Sequence, residues 1–251
     1  MTMTQTDPNE LARTVAIDFA RRLVRHWQEI LGTRLLGVYL IGSLAHAGFN
    51  RRYSDVDLAL VTAAALSQDT IDDLKSRAVA LSREWGPKVS IFWSDRHFSV
   101  GRFPPLDRVD YLDHAVALVE SERLSPPRPT LEEIRQYLRG AIFSTWVDRA
   151  RTFAAAEKLE PKDHKMYLRT ILYPGRFCYS WLTGRVGSNE DAVAFLKERS
   201  LAGLDIELIA RALQCREAAA DPDALFPART ILPSQFDACA RLIADERSPS
   251  S

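Results

Sequence analysis

Cysteine is scarce and scattered: Cys178, Cys215 and Cys239 are the three in a chain of 251 residues. No C-x-x-C pair and no Cys/His ligand spacing occurs, which argues against a disulfide frame and against a zinc site. Net charge is missing as well. Lys plus Arg number 33 and Asp plus Glu number 33, so the chain has no cationic surplus to displace counterions from a polymeric nucleic acid. No apolar run approaches the ~20 residues that span a bilayer. The opening MTMTQTDPNE lacks the basic and apolar regions of a signal peptide. The expected compartment is therefore the cytoplasm, with no membrane partner.

What remains is an ordinary globular composition, 46% hydrophobic and 26% charged, long enough for one large domain or two modest ones. Apolar spacing predicts a helix over residues 11–31, ended by Gly32, and a buried strand over 35–41 (LLGVYLI). A second strand is predicted over 54–61 (SDVDLALV), a helix over 66–85 and a third strand over 88–93 (KVSIFW). Residues 113–120 (DHAVALVE) read as a further strand. Then SPPRPT, residues 125–130, breaks the pattern. Beyond it nearly everything is helical: 130 toward 158, with Thr130 and Glu133 forming a capping box, then 163–183 with a kink or interruption at Pro174-Gly175. Three more helices are predicted over 189–199, 205–217 and 233–245, with 246–251 frayed. The reading is an α/β sheet domain over 1–125 followed by an all-α domain over 126–251.

One stretch carries chemistry. In YLIGSLAHAGFNRRYSDVDLAL, residues 39–60, two aspartates flank one valine at the start of a strand. Alternate strand residues share a face, so Asp55 and Asp57 project together about 7 Å apart. Two such carboxylates repel unless a cation sits between them. Mg²⁺ suits the pair, because it prefers one or two carboxylates plus substrate phosphates. Gly42 and Ser43 end the preceding strand, where glycine permits close backbone approach and free amides favour a phosphate. Metal and phosphate together define a site for phosphoryl or nucleotidyl transfer.

The order Gly-Ser, loop, Ser-Asp-x-Asp resembles the signature of the DNA polymerase β nucleotidyltransferase superfamily, with a loop one residue longer than usual. LYPGRFCYSWLTGRVGSNEDAVAFLKERS, residues 172–200, is similar to the helical domain of aminoglycoside 3''-adenylyltransferases. The resemblance implies a nucleotidyltransferase fold: a five-stranded mixed sheet followed by a helical domain. It implies that Gly42 and Ser43 hold the triphosphate, that Ser54 supports their loop, and that Asp55 and Asp57 are catalytic Mg²⁺ ligands. It assigns an acceptor-binding acid to Glu190. The implied reaction moves a nucleoside monophosphate, AMP from ATP, to a hydroxyl of a small-molecule acceptor.

Two departures stand against the pattern. The superfamily's third carboxylate falls on a strand that here reads KVSIFWS, offering Lys88 or Ser90 where an acid is expected. Asp95 and Glu120 are the substitutes within reach of the pattern, although Asp95 reads equally as a turn cap and Glu120 as a solvated side chain. Ala194 falls where a second acceptor-binding acid is expected. The alternatives are accordingly a lapsed nucleotide-binding or regulatory member, and an antitoxin-like enzyme that transfers AMP to a protein.

Overall fold

The computed structural model describes residues 8–46 and 48–245. The expectations for residues 1–7 and 246–251, on a signal peptide and on fraying, fall outside that range. The chain divides into two compact units, Met1–Pro129 and Thr130–Ser251. The segment before Thr130 stays with the first unit, since Arg128 pairs with Asp113.

The first unit is built on five strands: β1 (Leu35–Leu40), β2 (Val56–Thr62), β3 (Val89–Asp95), β4 (Gly101–Arg102) and β5 (Val116–Glu120). Their spatial order is β4-β3-β2-β1-β5. β1 runs antiparallel to both β2 and β5, β2 runs parallel to β3, and β4 lies antiparallel to β3. The sheet is thus mixed and five-stranded. Three helices accompany it: α1 (Pro8–Leu31), α2 (Gln68–Leu81) and α3 (Pro105–His114).

Strand periodicity sends each side of β2 into a different core. Val56, Leu58 and Leu60 pack with Phe19, Leu23 and Trp27 of α1 and with Leu74 and Ala78 of α2. The Trp27 indole N–H donates to the Leu74 carbonyl at 3.0 Å, so this buried polar atom is satisfied. Ala59 and Val61 face the other way, with Tyr39, Ile41 and Tyr111. Asp57 shares that second face.

α3 and β4 were not among the predicted elements. Pro105 occupies the first turn of α3, where a missing N–H costs nothing, and Asp107 favours the same turn's positive dipole end. The strand predicted over 113–120 loses its first residues to the end of this helix. In the second unit, the helix predicted from 130 toward 158 is two helices, α4 (Leu131–Leu138) and α5 (Ala141–Ala155). Gly140, a poor helix former, stands at the break with its amide bonded to the Tyr137 carbonyl at 3.2 Å. The Thr130/Glu133 capping box is present. α6 (His164–Thr183) continues through Pro174 without interruption and ends on Gly184 at φ +68°. Close packing holds it there: a β-carbon on Gly175 would lie 3.3 Å from Leu196 of α7 (Asn189–Arg199). α8 (Ile206–Glu217) and α9 (Leu232–Asp245) complete the unit, with a short-pitched segment over Pro222–Ile231 between them. Trp146 and Trp181 are core residues of this unit. Among the described residues, no helix is long and apolar enough to cross a membrane.

Asp95, one of the two substitute acids, is committed to structure. Its Oδ1 accepts from the Ser99 amide at 2.8 Å and the Val100 amide at 3.2 Å, and its Oδ2 from the Ser99 hydroxyl at 2.9 Å. Burial alone would raise this carboxyl, but the Val100 and Ser99 donors outweigh it and hold it below the ordinary carboxylate range. A depressed native pKa contributes stability that is present above the unfolded-state value and is lost as pH falls through the native one. Asp95→Ala should therefore lower unfolding free energy by about 1–3 kcal/mol at neutral pH. In urea titrations, the difference from wild type should close as pH drops below the usual carboxylate range.

Candidate nucleotide site

The turn after β1 sets the site. Ile41 is extended and its amide bonds the Asp57 carbonyl at 3.1 Å, keeping the chain in register with β2. Gly42 then takes φ +65° and opens a short helical turn over Gly42–Leu44, closed by Ala45 and His46 amides on the Gly42 carbonyl. Arg13 of α1 caps the turn's far end, donating to the Leu44 carbonyl at 2.9 Å. A β-carbon at Gly42 would meet Asp57 Oδ2 at 2.6 Å. The left-handed backbone and the close carboxylate each demand glycine, and together they bring Gly42 and Asp57 into contact.

The loop that follows is braced from within. The Asn50 amide donates to Ser54 Oγ at 2.9 Å, and the Ser54 amide returns to the Asn50 carbonyl at 2.8 Å. Asn50 Oδ1 accepts from the Arg52 and Tyr53 amides at 2.9 and 3.2 Å. Asn50 and Ser54 are both buried. Ser54 therefore fixes the segment that delivers Asp55 and Asp57 to the start of β2. Both aspartates are half-buried. Carboxylate oxygens are among the donors that Mg²⁺ takes.

The neighbouring positions are as informative. Ser90 of β3 pairs directly with Asp57 of β2, so a serine occupies the position where the sequence pattern calls for an acid. Asp95 stands five residues further along β3, on the opposite side of the pleat. Glu120 pairs with Gly37 at the other end of β1 from Gly42. There it is exposed and accepts from the Tyr39 hydroxyl at 3.0 Å. Neither substitute reaches the Asp57 end of the sheet.

A different acid does. Asp110 of α3 is 5% exposed, and its Oδ2 accepts the Gly42 amide at 2.6 Å. His46 Nε2 stands 3.7 Å from its Oδ1. The side chain of His46 is only 15% exposed, and its ring meets that of His114 at 5.2 Å. The spacing of Val109 and Leu112 within PPLDRVDYLDH, behind a proline pair, was the available signal for the helix that carries Asp110.

Glu190 lies in the second unit, in the first turn of α7. Its Oε2 is buried and makes no hydrogen bond among the described residues. Burial, and then the charge of Glu190, push the Glu217 carboxyl of α8 upward. Asp191 is used locally, in a capping box with Ser188. One further group could hold a metal: His164, Asp221 and Asp223, with ligand atoms within 4.8 Å of one another. His164 Nδ1 lies 2.9 Å from Asp221 and Nε2 3.7 Å from Asp223. This contact ties the start of α6 to the segment before α9.

A five-stranded mixed sheet with a glycine turn against a D-x-D strand, followed by a helical unit, is the α/β nucleotidyltransferase fold. A solved structure shares it. The spectinomycin adenyltransferase AAD(9) from Enterococcus faecialis, solved with ATP and spectinomycin, matches 89% of this chain and 99% of its own, with TM-score 0.61 and 14% identity. A mutant of the toxin-antitoxin pair MntA-HpeT matches 41% of this chain and 74% of its own, with TM-score 0.31 and 15% identity. No family model and no curated protein matches the sequence.

Replacing Gly42 tests the turn directly. Gly42→Ala should cost about 1–3 kcal/mol, the usual strain of a non-glycine residue held at left-handed φ, with Asp57 displaced by the new methyl. Denaturant unfolding and a crystal structure of the variant would read the two effects separately.

Proposed function

We propose that this protein is a Mg²⁺-dependent nucleotidyltransferase that moves AMP from ATP to a hydroxyl of a small-molecule acceptor. The observation that carries the reading is the contact between the Gly42 turn and Asp57, in a sheet of this fold. In the reaction, the acceptor oxygen forms a bond to the α-phosphorus while the bond from that phosphorus to the β-bridging oxygen breaks. Pyrophosphate leaves and the hydroxyl proton passes to solvent or buffer. Asp55 and Asp57 fit a hard cation by donor type and by their placement on either side of Val56, at the start of β2. Mg²⁺, when bound there, neutralises phosphate charge. The protein's own part is positional. The Gly42-Ser43 turn orients the phosphates, and Ser54 holds the loop that places both aspartates.

Glu190 is assigned to the acceptor. The buried, unbonded Oε2 of Glu190 and its electrostatic influence on Glu217 support an acceptor that carries positive charge, since acids that feel one another gain from a cation nearby. AAD(9), the neighbour of the same fold, was solved with ATP and spectinomycin, which is consistent with a nucleotide and a small molecule as the two substrates.

A second reading has one specific observation behind it. With Ser90 beside Asp57, β3 supplies no general base, and a protein that binds nucleotide without transferring it would look the same there.

Calorimetric titration of ATP with and without Mg²⁺ separates these readings from no site at all. Wild type should bind ATP in the presence of Mg²⁺, and Asp55→Asn/Asp57→Asn should weaken that binding at least tenfold. Pyrophosphate release across a panel of polyhydroxylated amines then distinguishes an enzyme from a sensor. Wild type that binds no ATP with Mg²⁺ at millimolar concentration would contradict both.

A further inference from the structure

Asp110 has no role in the reading so far, and its surroundings call for one. The carboxylate comes from α3, between buried Val109 and Tyr111, and its side chain is 8% exposed. Oδ2 takes the Gly42 amide at 2.6 Å. Oδ1 makes no hydrogen bond among the described residues, and His46 Nε2 lies 3.7 Å from it, beyond hydrogen-bond range. A buried charge needs compensation. One amide bond and a more distant imidazole give little.

The amide that Asp110 occupies belongs to the turn assigned to phosphate. A backbone N–H directed at a carboxylate oxygen presents to a phosphate oxygen the same donor and the same geometry. Asp57 meets the same glycine from the strand side. A triphosphate approaching this turn without a cation faces two nearby carboxylates and an occupied donor.

We infer that Asp110 is an internal stand-in for phosphate on the Gly42 amide, which an incoming triphosphate must displace. The inference rests on the nucleotide site proposed above. Displaced, the Asp110 carboxylate has His46 within a short rotation as its next partner. Because the exchange sets one anion against another, it makes nucleotide binding conditional on the divalent cation. Asp110 is thus a positioning residue that sets the cation requirement, acting through Gly42 rather than on the reacting atoms.

The test is Asp110→Asn in the full chain, which keeps a carbonyl oxygen for the Gly42 amide and removes the charge. Thermal unfolding checks that it remains folded. ATP is titrated with Mg²⁺ and with EDTA into wild type, Asp110→Asn and Asp57→Asn. The expected result is at least tenfold tighter metal-free ATP binding in Asp110→Asn. Its Mg²⁺-to-EDTA affinity ratio should also shrink by a similar factor, while Asp57→Asn loses the Mg²⁺ enhancement. Metal-free binding that is unchanged or weaker in Asp110→Asn overturns the inference and leaves the nucleotide site standing. Wild type that binds no ATP under either condition overturns both. A second measurement needs no variant: the Asp110 carboxyl carbon resonance of wild type should shift when Mg²⁺ and ATP are added. A resonance that stays in place also overturns the inference.

Discussion

Gly42 is gripped from two sides, by Asp57 of the neighbouring strand and by Asp110 of the helix that covers that face of the sheet. The left-handed backbone at +65° is what permits it. A side chain here would collide with Asp57 and strain the turn, and a relaxed turn would carry its amide away from Asp110. The rest of the first unit maintains this geometry. The Ile41 amide keeps the turn in register with β2, Arg13 caps its far end, and Asn50 with Ser54 braces the loop leading to Asp55. Two hydrophobic cores, one on each face of β2, hold the strand that bears Asp57 and begins just after Asp55. In the proposed reading this order supplies a rigid glycine turn for phosphate and two carboxylates for a cation.

Much of this was legible in the sequence because it is local. The second strand was read to within two residues of β2, although Asp55 precedes it, glycine and serine after an apolar run marked the turn, and Thr130 with Glu133 announced a helix start. Three of the C-terminal helices fell within a residue of their predicted limits, since each has a clear cap or a proline at its start. The losses came where a short element or a distant contact decides the outcome. α3 is ten residues long and lies between strands, so its periodicity is brief and its last residues read as the start of β5. Asp110 reaches Gly42 across 68 positions, and no local pattern reports such a pairing.

The second unit shows the same division. Pro174 suggested a kink or an interruption, and α6 runs on through it to Thr183. Gly140 breaks a helix that the apolar spacing alone would have continued. Glu190 was visible as one acid. Its electrostatic influence on Glu217 reaches another helix, which no local pattern reports. The neutral charge of the chain fits a protein whose charged groups are spent locally, on caps, loop braces and a small anionic site, rather than on a broad surface for a polyanion.

The central claim is that the Gly42 turn holds phosphate while Asp55 and Asp57 hold the cation. A crystal structure of the full chain with Mn²⁺ and an ATP analogue that cannot be cleaved between its α and β phosphates tests this most directly. The account predicts an anomalous peak between Asp55 and Asp57, with phosphate oxygens on the amides of Gly42 and Ser43. Nucleotide bound elsewhere, or Mn²⁺ found instead at His164 and its aspartates, would contradict it.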